Sequence, residues 1–182
     1  LDIKSSPTIL ARFEECGIVP KEEMYRIGGV GMAARASGAT RDIRSSHPCG
    51  AFAQGYVDHQ SVVKKQGDVM ARLMVRANEV LQSAEYIRDI LNSYDVSEEY
   101  SHPDYTSALT PNALSFALTE GWRGEICHVA ITDEKGSIET YKTKEPSLHN
   151  WLALALAVRG EGISDFPICN KSFNLSYCGH DL

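Results

Sequence analysis

Apolar residues recur at three- and four-residue steps through Val69, Leu73, Ala77, Val80, Ala84, Ile87 and Leu91. That spacing is one face of an α-helix and predicts a single long helix over residues 68–91. Arg72, Arg76, Glu79 and Arg88 fall between these positions, as a solvated or interface face requires. Two shorter helices are predicted upstream. Residues 7–16 have Ser5 or Ser6 to cap them, Pro7 for the first turn and Gly17 to end them. Residues 20–27 repeat the pattern, with Pro20 opening, Glu22 and Glu23 at the positive end, and Gly28-Gly29 as the stop. The glycine-rich stretch 28–38 reads as turns and close packing, followed by an irregular segment to Gly55.

The β signal lies further on. Residues 125–131 and 137–142 flank Asp133-Glu-Lys-Gly136, a turn with glycine where positive φ is needed. Ser147 is the expected cap of a helix running to about Val158, ended by Gly160 and Gly162. Residues 92–111, polar and tyrosine-rich, read as a connector, and the tail from Asp165 as semi-extended. The pattern predicts an α+β fold, mainly α, with a long central helix and a small antiparallel β hairpin. At 182 residues the chain is long enough for one domain with its own core.

Charge narrows the function. Acidic residues outnumber basic ones, 24 to 18, without the basic stripe of a nucleic-acid binder. No apolar run approaches the roughly 18 residues a spanning helix needs, so no direct membrane span is expected; residues 151–158 are too few. Leu1-Asp-Ile-Lys4 has no apolar core of a signal peptide behind it, and an opening Leu1 reads as a piece of a longer protein. The five cysteines (16, 49, 127, 169 and 178) have no disulfide-framework spacing. His47-Pro-Cys49 and Cys178-Gly-His180 are isolated clips without structural-zinc spacing.

Gly29-Val-Gly-Met-Ala-Ala34 matches the G-x-G-x-x-A form of the dinucleotide fingerprint, but residues 21–27 before it read as an acidic helix rather than the required strand. Direct NAD binding through it is therefore rejected. Residues 35–44 carry Arg35, Arg41, Arg44 and Asp42 beside turn glycines. Such guanidiniums suit carboxylates or a cofactor oxygen, but composition alone favours a structural Arg–Asp network tying loops together. Glu120-Gly-Trp-Arg-Gly-Glu125 opens the hairpin and puts Trp122 and Arg123 at a loop-to-strand junction. His128, in a strand, and His149, in a helix, read as structural.

The order of these pieces carries a resemblance. Gly17-Ile-Val-Pro-Lys-Glu-Glu23, Gly31-Met-Ala-Ala-Arg-Ala-Ser-Gly38, Arg41-Asp-Ile-Arg44 and His47-Pro-Cys-Gly-Ala-Phe52 follow one another, then Gly67-Asp-Val-Met-Ala-Arg72 and Glu120-Gly-Trp-Arg-Gly124. Together with Ser164-Asp165, Pro167 and Tyr177, they resemble the C-terminal half of energy-converting nickel–iron hydrogenase large subunits and of their relative, the 49-kilodalton subunit of respiratory complex I (NADH-quinone oxidoreductase). The resemblance implies a hydrogenase large-subunit-like helical domain whose N-terminal half lies outside residues 1–182. It also implies an iron–sulfur small subunit and membrane-arm subunits as partners, on the cytoplasmic face of a membrane.

The departures are specific. The positions of the C-terminal metal-binding Cys-x-x-Cys fall on Ser176 and Gly179, with Cys178 between them. The ending Cys178-Gly-His-Asp-Leu182 also differs from the Gly-Glu-Val-Asp-Arg of complex I. Trp122 replaces the proline of Glu-Ala-Pro-Arg-Gly. The resemblance thus implies a metal-free cavity for quinone- or proton-coupled electron transfer, lined by Arg123, Arg35, Asp42 and His180, with no cofactor in this chain, iron–sulfur clusters on the partner and quinone as the candidate ligand. On that reading Arg35→Ala or Arg123→Ala abolishes turnover without unfolding, and the chain by itself is inactive. The alternatives are a hydrogenase using Cys178 and His180 as atypical ligands, or a non-catalytic docking subunit whose cavity has collapsed around Trp122.

Overall fold

The computed structural model describes residues 6–93 and 106–179. Helix α1 (Pro7–Phe13) stops short of its predicted end, because the chain turns through positive φ at Glu15 and Gly17. Ser6 holds its cap position but contributes only its carbonyl, which accepts from Ile9 and Leu10. Helix α2 (Lys21–Arg26) starts after Pro20 and ends at Gly28, as its sequence predicts.

The glycine-rich stretch holds a helix of its own, α3 (Gly31–Ala36), in which all six residues are buried. Ala33, Ala34 and Ala36 present so little bulk that this helix packs at the centre of the molecule against α5 (Val69–Ser93). Its first residue touches backbone. A Cβ on Gly31, at φ +65°, would stand 2.1 Å from the Cα of Gly124, at the start of β2. The motif therefore serves a backbone-to-backbone approach, and the preceding α2 is the helix that argues against a nucleotide site. A four-residue helix, α4 (Ile43–Ser46), follows with Asp42 as its cap: Asp42 Oδ1 accepts from the Arg44 amide at 3.0 Å.

Helix α5 has nearly the predicted extent, but its buried face is another one. Val69, Ala71, Arg72 and Val75 are buried, whereas Val80, Ile87 and Leu91 of the predicted stripe are exposed. Arg72 lies inside because three other segments complete its guanidinium. Nη1 donates to the Gly67 carbonyl (2.7 Å), Nη2 to the Gly17 carbonyl (3.0 Å) and Nε to Ser172 Oγ (2.8 Å), while its Cζ stacks 4.2 Å from the Phe173 ring centroid. Burial pulls its pKa down to about 10, so it stays charged near neutrality.

The sheet has three antiparallel strands in the order β1 (Leu114–Gly121), β2 (Gly124–Thr132), β3 (Ile138–Lys144). The β2–β3 hairpin is the predicted one, with Gly136 at φ +76° in its turn. Strand β1 is additional; it pairs with β2 from Leu114↔Ile131 to Gly121↔Gly124, leaving Trp122 and Arg123 as a two-residue turn. Helix α6 (Ser147–Ala157) lies where the sequence places it, but Glu145 does the capping. Its carboxylate accepts from the Ser147 amide (2.6 Å) and hydroxyl (3.0 Å). The tail contains helix α7 (Phe166–Phe173), correcting the semi-extended reading; Pro167 opens it and Asn174 closes it in the left-handed region.

Buried Asn150 of α6 stitches three segments. Its Oδ1 accepts from the Val30 amide (3.1 Å), and its Nδ2 donates to the carbonyls of Val30 (3.1 Å) and Arg123 (3.3 Å). Asn150→Leu keeps the branched shape and strands those backbone groups, so a loss of about 1–3 kcal/mol is expected. Urea titration of the whole subunit measures it.

Candidate functional site

The hairpin turn separates two polar regions. On one side, Arg35 is 1% exposed and faces three carboxylates: Nη1 stands 2.7 Å from Glu120 Oε1 and 3.8 Å from Asp42 Oδ2, and Nη2 3.0 Å from Glu79 Oε1. Arg44 grips Asp42 with both ends of its fork, Nε to Oδ1 at 2.9 Å and Nη2 to Oδ2 at 2.8 Å, and shares Glu79 at 2.9 Å. Helix α3 positions Arg35, the Asp42 cap positions Arg44, α5 brings Glu79 and the end of β1 brings Glu120. A neighbouring pair, Arg41 Nη2 to Glu125 Oε2 at 2.7 Å, ties the same loop to β2.

His59 completes the cluster. Its Nε2 lies 3.0 Å from Asp42 Oδ2 and its Nδ1 3.0 Å from the Tyr86 hydroxyl, with Phe52 edge-on to both rings. Nothing in the local sequence singles out His59, and the Tyr86 partner is 27 residues away.

Electrostatics distinguish the carboxyls. Burial alone would raise Asp42, but the Arg44 hydrogen bonds, the Arg35 charge and the His59 bond hold it well below the usual carboxylate range. Glu120 goes the other way: burial outweighs the Arg35 attraction and raises its pKa. Two guanidiniums face three carboxyls, so the full set of charges leaves one negative charge over, and one proton on Glu120 neutralises it. Glu120 and Arg44 also line a cleft of about 470 Å³ whose apolar side is Val80, Ala84, Ile87 and Trp122.

Arg123 stands apart from this cluster. Its Nε donates to the Asn174 carbonyl, beside the loop that carries Ser176 and Gly179. The structure thus brings Arg35 and Asp42 together and places Arg123 elsewhere; His180 lies outside the described residues. The Ser176 loop is closed on itself, since Ser176 Oγ accepts from the Gly179 amide (3.0 Å) and Ser147 Oγ accepts from the Ser176 amide (2.9 Å). Cys178 is exposed. A nickel–iron centre needs bridging thiolates, and a hydroxyl already engaged, a glycine and one exposed thiol do not fit it. Among the described residues no group of three His, Cys, Asp or Glu side chains could hold a metal ion. Trp122 is 54% exposed and lines clefts on both sides of the turn, so it does not fill a cavity.

The family of the respiratory-chain NADH dehydrogenase 49 Kd subunit matches residues 3–115. The chain belongs to that family. Among its relatives, the carbon monoxide-induced hydrogenase of Rhodospirillum rubrum is 29% identical over 171 residues, 94% of this chain and 46% of that protein. NADH-quinone oxidoreductase subunit 4 of Thermus thermophilus is 26% identical over 186 residues, covering 88% of this chain and 44% of that protein. Formate hydrogenlyase subunit 5 of Escherichia coli is 28% identical over 176 residues, 95% of this chain and 30% of that protein. A chain in the structure of the membrane-bound sulfane sulfur reductase, an archaeal respiratory membrane complex, superposes with a TM-score of 0.87. It matches 98% of this chain and 49% of its own length at 23% identity, which shows a shared fold. This 49 Kd family chain spans about half the length, or less, of these relatives. No helix among its described residues is long and apolar enough to cross a membrane.

Proposed function

We propose that the chain is the C-terminal part of a large subunit in a membrane-associated redox complex, where Glu120 exchanges a proton with a quinone held in the cleft beside α5. The carrying observation is the surplus carboxyl: a buried Glu120, 3% exposed at its side chain, with raised pKa, lining a cleft that is apolar on its other side. Quinone reduction consumes two electrons and two protons. Iron–sulfur clusters of a small-subunit partner would deliver the electrons, membrane-arm subunits would lie alongside, and the complex would sit on the cytoplasmic face. His59 and Tyr86, bonded in series from Asp42, lead from the cluster to the loop at residues 58–60, where Tyr86 Oη donates to the Asp58 carbonyl (3.4 Å).

Glu120→Gln keeps the shape and removes the exchangeable proton. In the whole subunit, assembled in its natural complex, turnover should fall by about tenfold or more, with assembly intact. The wild type should lose activity as pH rises through the Glu120 pKa, because the protonated carboxyl is the donor, and the variant should lack that limb. Wild-type turnover with an unchanged pH profile would leave the cluster as a structural lock, the docking-subunit reading.

A further inference from the structure

The second cleft, about 520 Å³ between α1, α5, α7 and the hairpin turn, has no part in the proton chemistry above. Its walls are Phe13, Leu73, Trp122 and Ile168, and its charged lining residues are Arg76 and Lys171. In a chain of net charge −6, both charged residues lining this cleft are cationic. Arg76, Arg123 and Lys171 form no salt bridge with any described residue, whereas Glu79, whose charge reaches Arg76, is already bound by Arg35 and Arg44.

Arg76 is held rather than neutralised. Its two terminal nitrogens donate to the carbonyls of Ser172 and Phe173 at the end of α7, and its Cζ sits 5.3 Å from the Trp122 ring centroid. Its buried Nε has no hydrogen-bond partner among the described residues. Burial and the like charge of Arg123 pull its pKa down to about 10, which leaves it charged near neutrality. Carbonyl dipoles orient a guanidinium but cancel none of its charge, so an anion at the cleft would gain attraction that nothing inside supplies. The volume is in the range of small-molecule sites, which are apolar with a few convergent polar groups.

We infer that this cleft binds an anionic amphiphile, a long-chain carboxylate whose head meets Arg76 and Lys171 and whose tail lies along Phe13, Leu73, Trp122 and Ile168. The tail replaces water on half-buried Phe13, Leu73 and Ile168 and on exposed Trp122, and the head supplies the missing counter-charge.

The test is equilibrium dialysis of labelled laurate, below its micelle concentration, against the whole subunit in its complex. Saturable binding is expected, with the neutral analogue dodecanol weaker by about tenfold or more, the worth of a charge-assisted contact. Arg76→Ala removes two carbonyl partners and risks the fold, so exposed Lys171→Glu is the decisive variant and should weaken laurate severalfold. Equal affinity for dodecanol, indifference to Lys171→Glu, or uptake only by vesicles of acidic phospholipid with none of free laurate would each overturn the assignment. Glu120→Gln should leave laurate binding unchanged, which separates this inference from the proton reading.

Discussion

Arg35→Ala should cost about 3–5 kcal/mol of stability, the usual penalty for removing one partner of a buried ion pair. The guanidinium is the common counter-ion of Glu120, Glu79 and Asp42, and its loss leaves three carboxyls around an empty volume. The melting midpoint of the whole subunit should drop by several degrees, because a longer chain shifts less than the ~2–4 °C per kcal/mol of a 150–250-residue domain. The burial of Arg35 argues against the expectation that Arg35→Ala spares the fold, and the melting midpoint measured beside turnover decides between the two. Adding Glu120→Gln to an Arg35→Met chain removes one uncompensated charge and should recover part of the loss, which scanning calorimetry of the four variants would resolve. A midpoint within a degree or two of wild type for Arg35→Ala would mean the cluster contributes nothing to stability.

Gly31→Ala should be at least as damaging. At φ +65° an L-residue is strained by about 1–3 kcal/mol before any contact is counted. The added methyl would also stand 2.1 Å from the Gly124 Cα and 2.5 Å from the Arg123 carbonyl oxygen, both backbone atoms that cannot rotate away. The two-residue turn must then shift, taking Glu120 out of reach of Arg35 and Arg123 out of reach of Asn174. The expected result is a subunit that fails to assemble or is cleaved rapidly by protease. Gly50→Ala is the matched control, at φ +54° with nothing within 4 Å, and should show only the backbone strain.

Much of the fold is legible in the sequence because it is written locally. The 25-residue helix α5 repeats its period often enough to declare itself, and the Asp133–Gly136 turn carries its own chemistry. Helix α7 escapes notice because eight residues make only about two turns, and its buried pair, Cys169 and Phe173, is a single i, i+4 step. Strand β1 escapes because its alternation of Leu114, Phe116 and Leu118 with Ser115, Ala117 and Thr119 is short and has no turn signal of its own. The buried face of α5 misleads for a different reason. A guanidinium enters a core only when distant segments complete its hydrogen bonds, and the carbonyls of Gly17 and Gly67 and the hydroxyl of Ser172 are not visible from the neighbours of Arg72. The candidate site shows the same limit. Arg35 and Asp42 lie seven residues apart and stand out together, while their partners Glu79 and Glu120 come from other elements and His59 from an unremarkable loop.

The closed Ser176 loop is coupled to the head of α6. A side chain at Gly179 would begin 2.9 Å from Cγ of Glu145 and 3.0 Å from Ser176 Oγ. Glu145 cannot swing aside freely, because its carboxylate is pinned by the amide and hydroxyl of Ser147 at the head of α6. Placing a thiolate pair at 176 and 179 therefore takes more than two substitutions, because the capping residue of α6 must move or change with them. Any residue larger than glycine at 179 thus competes with the Glu145 cap for the same space, and the loop admits it only by loosening the head of α6.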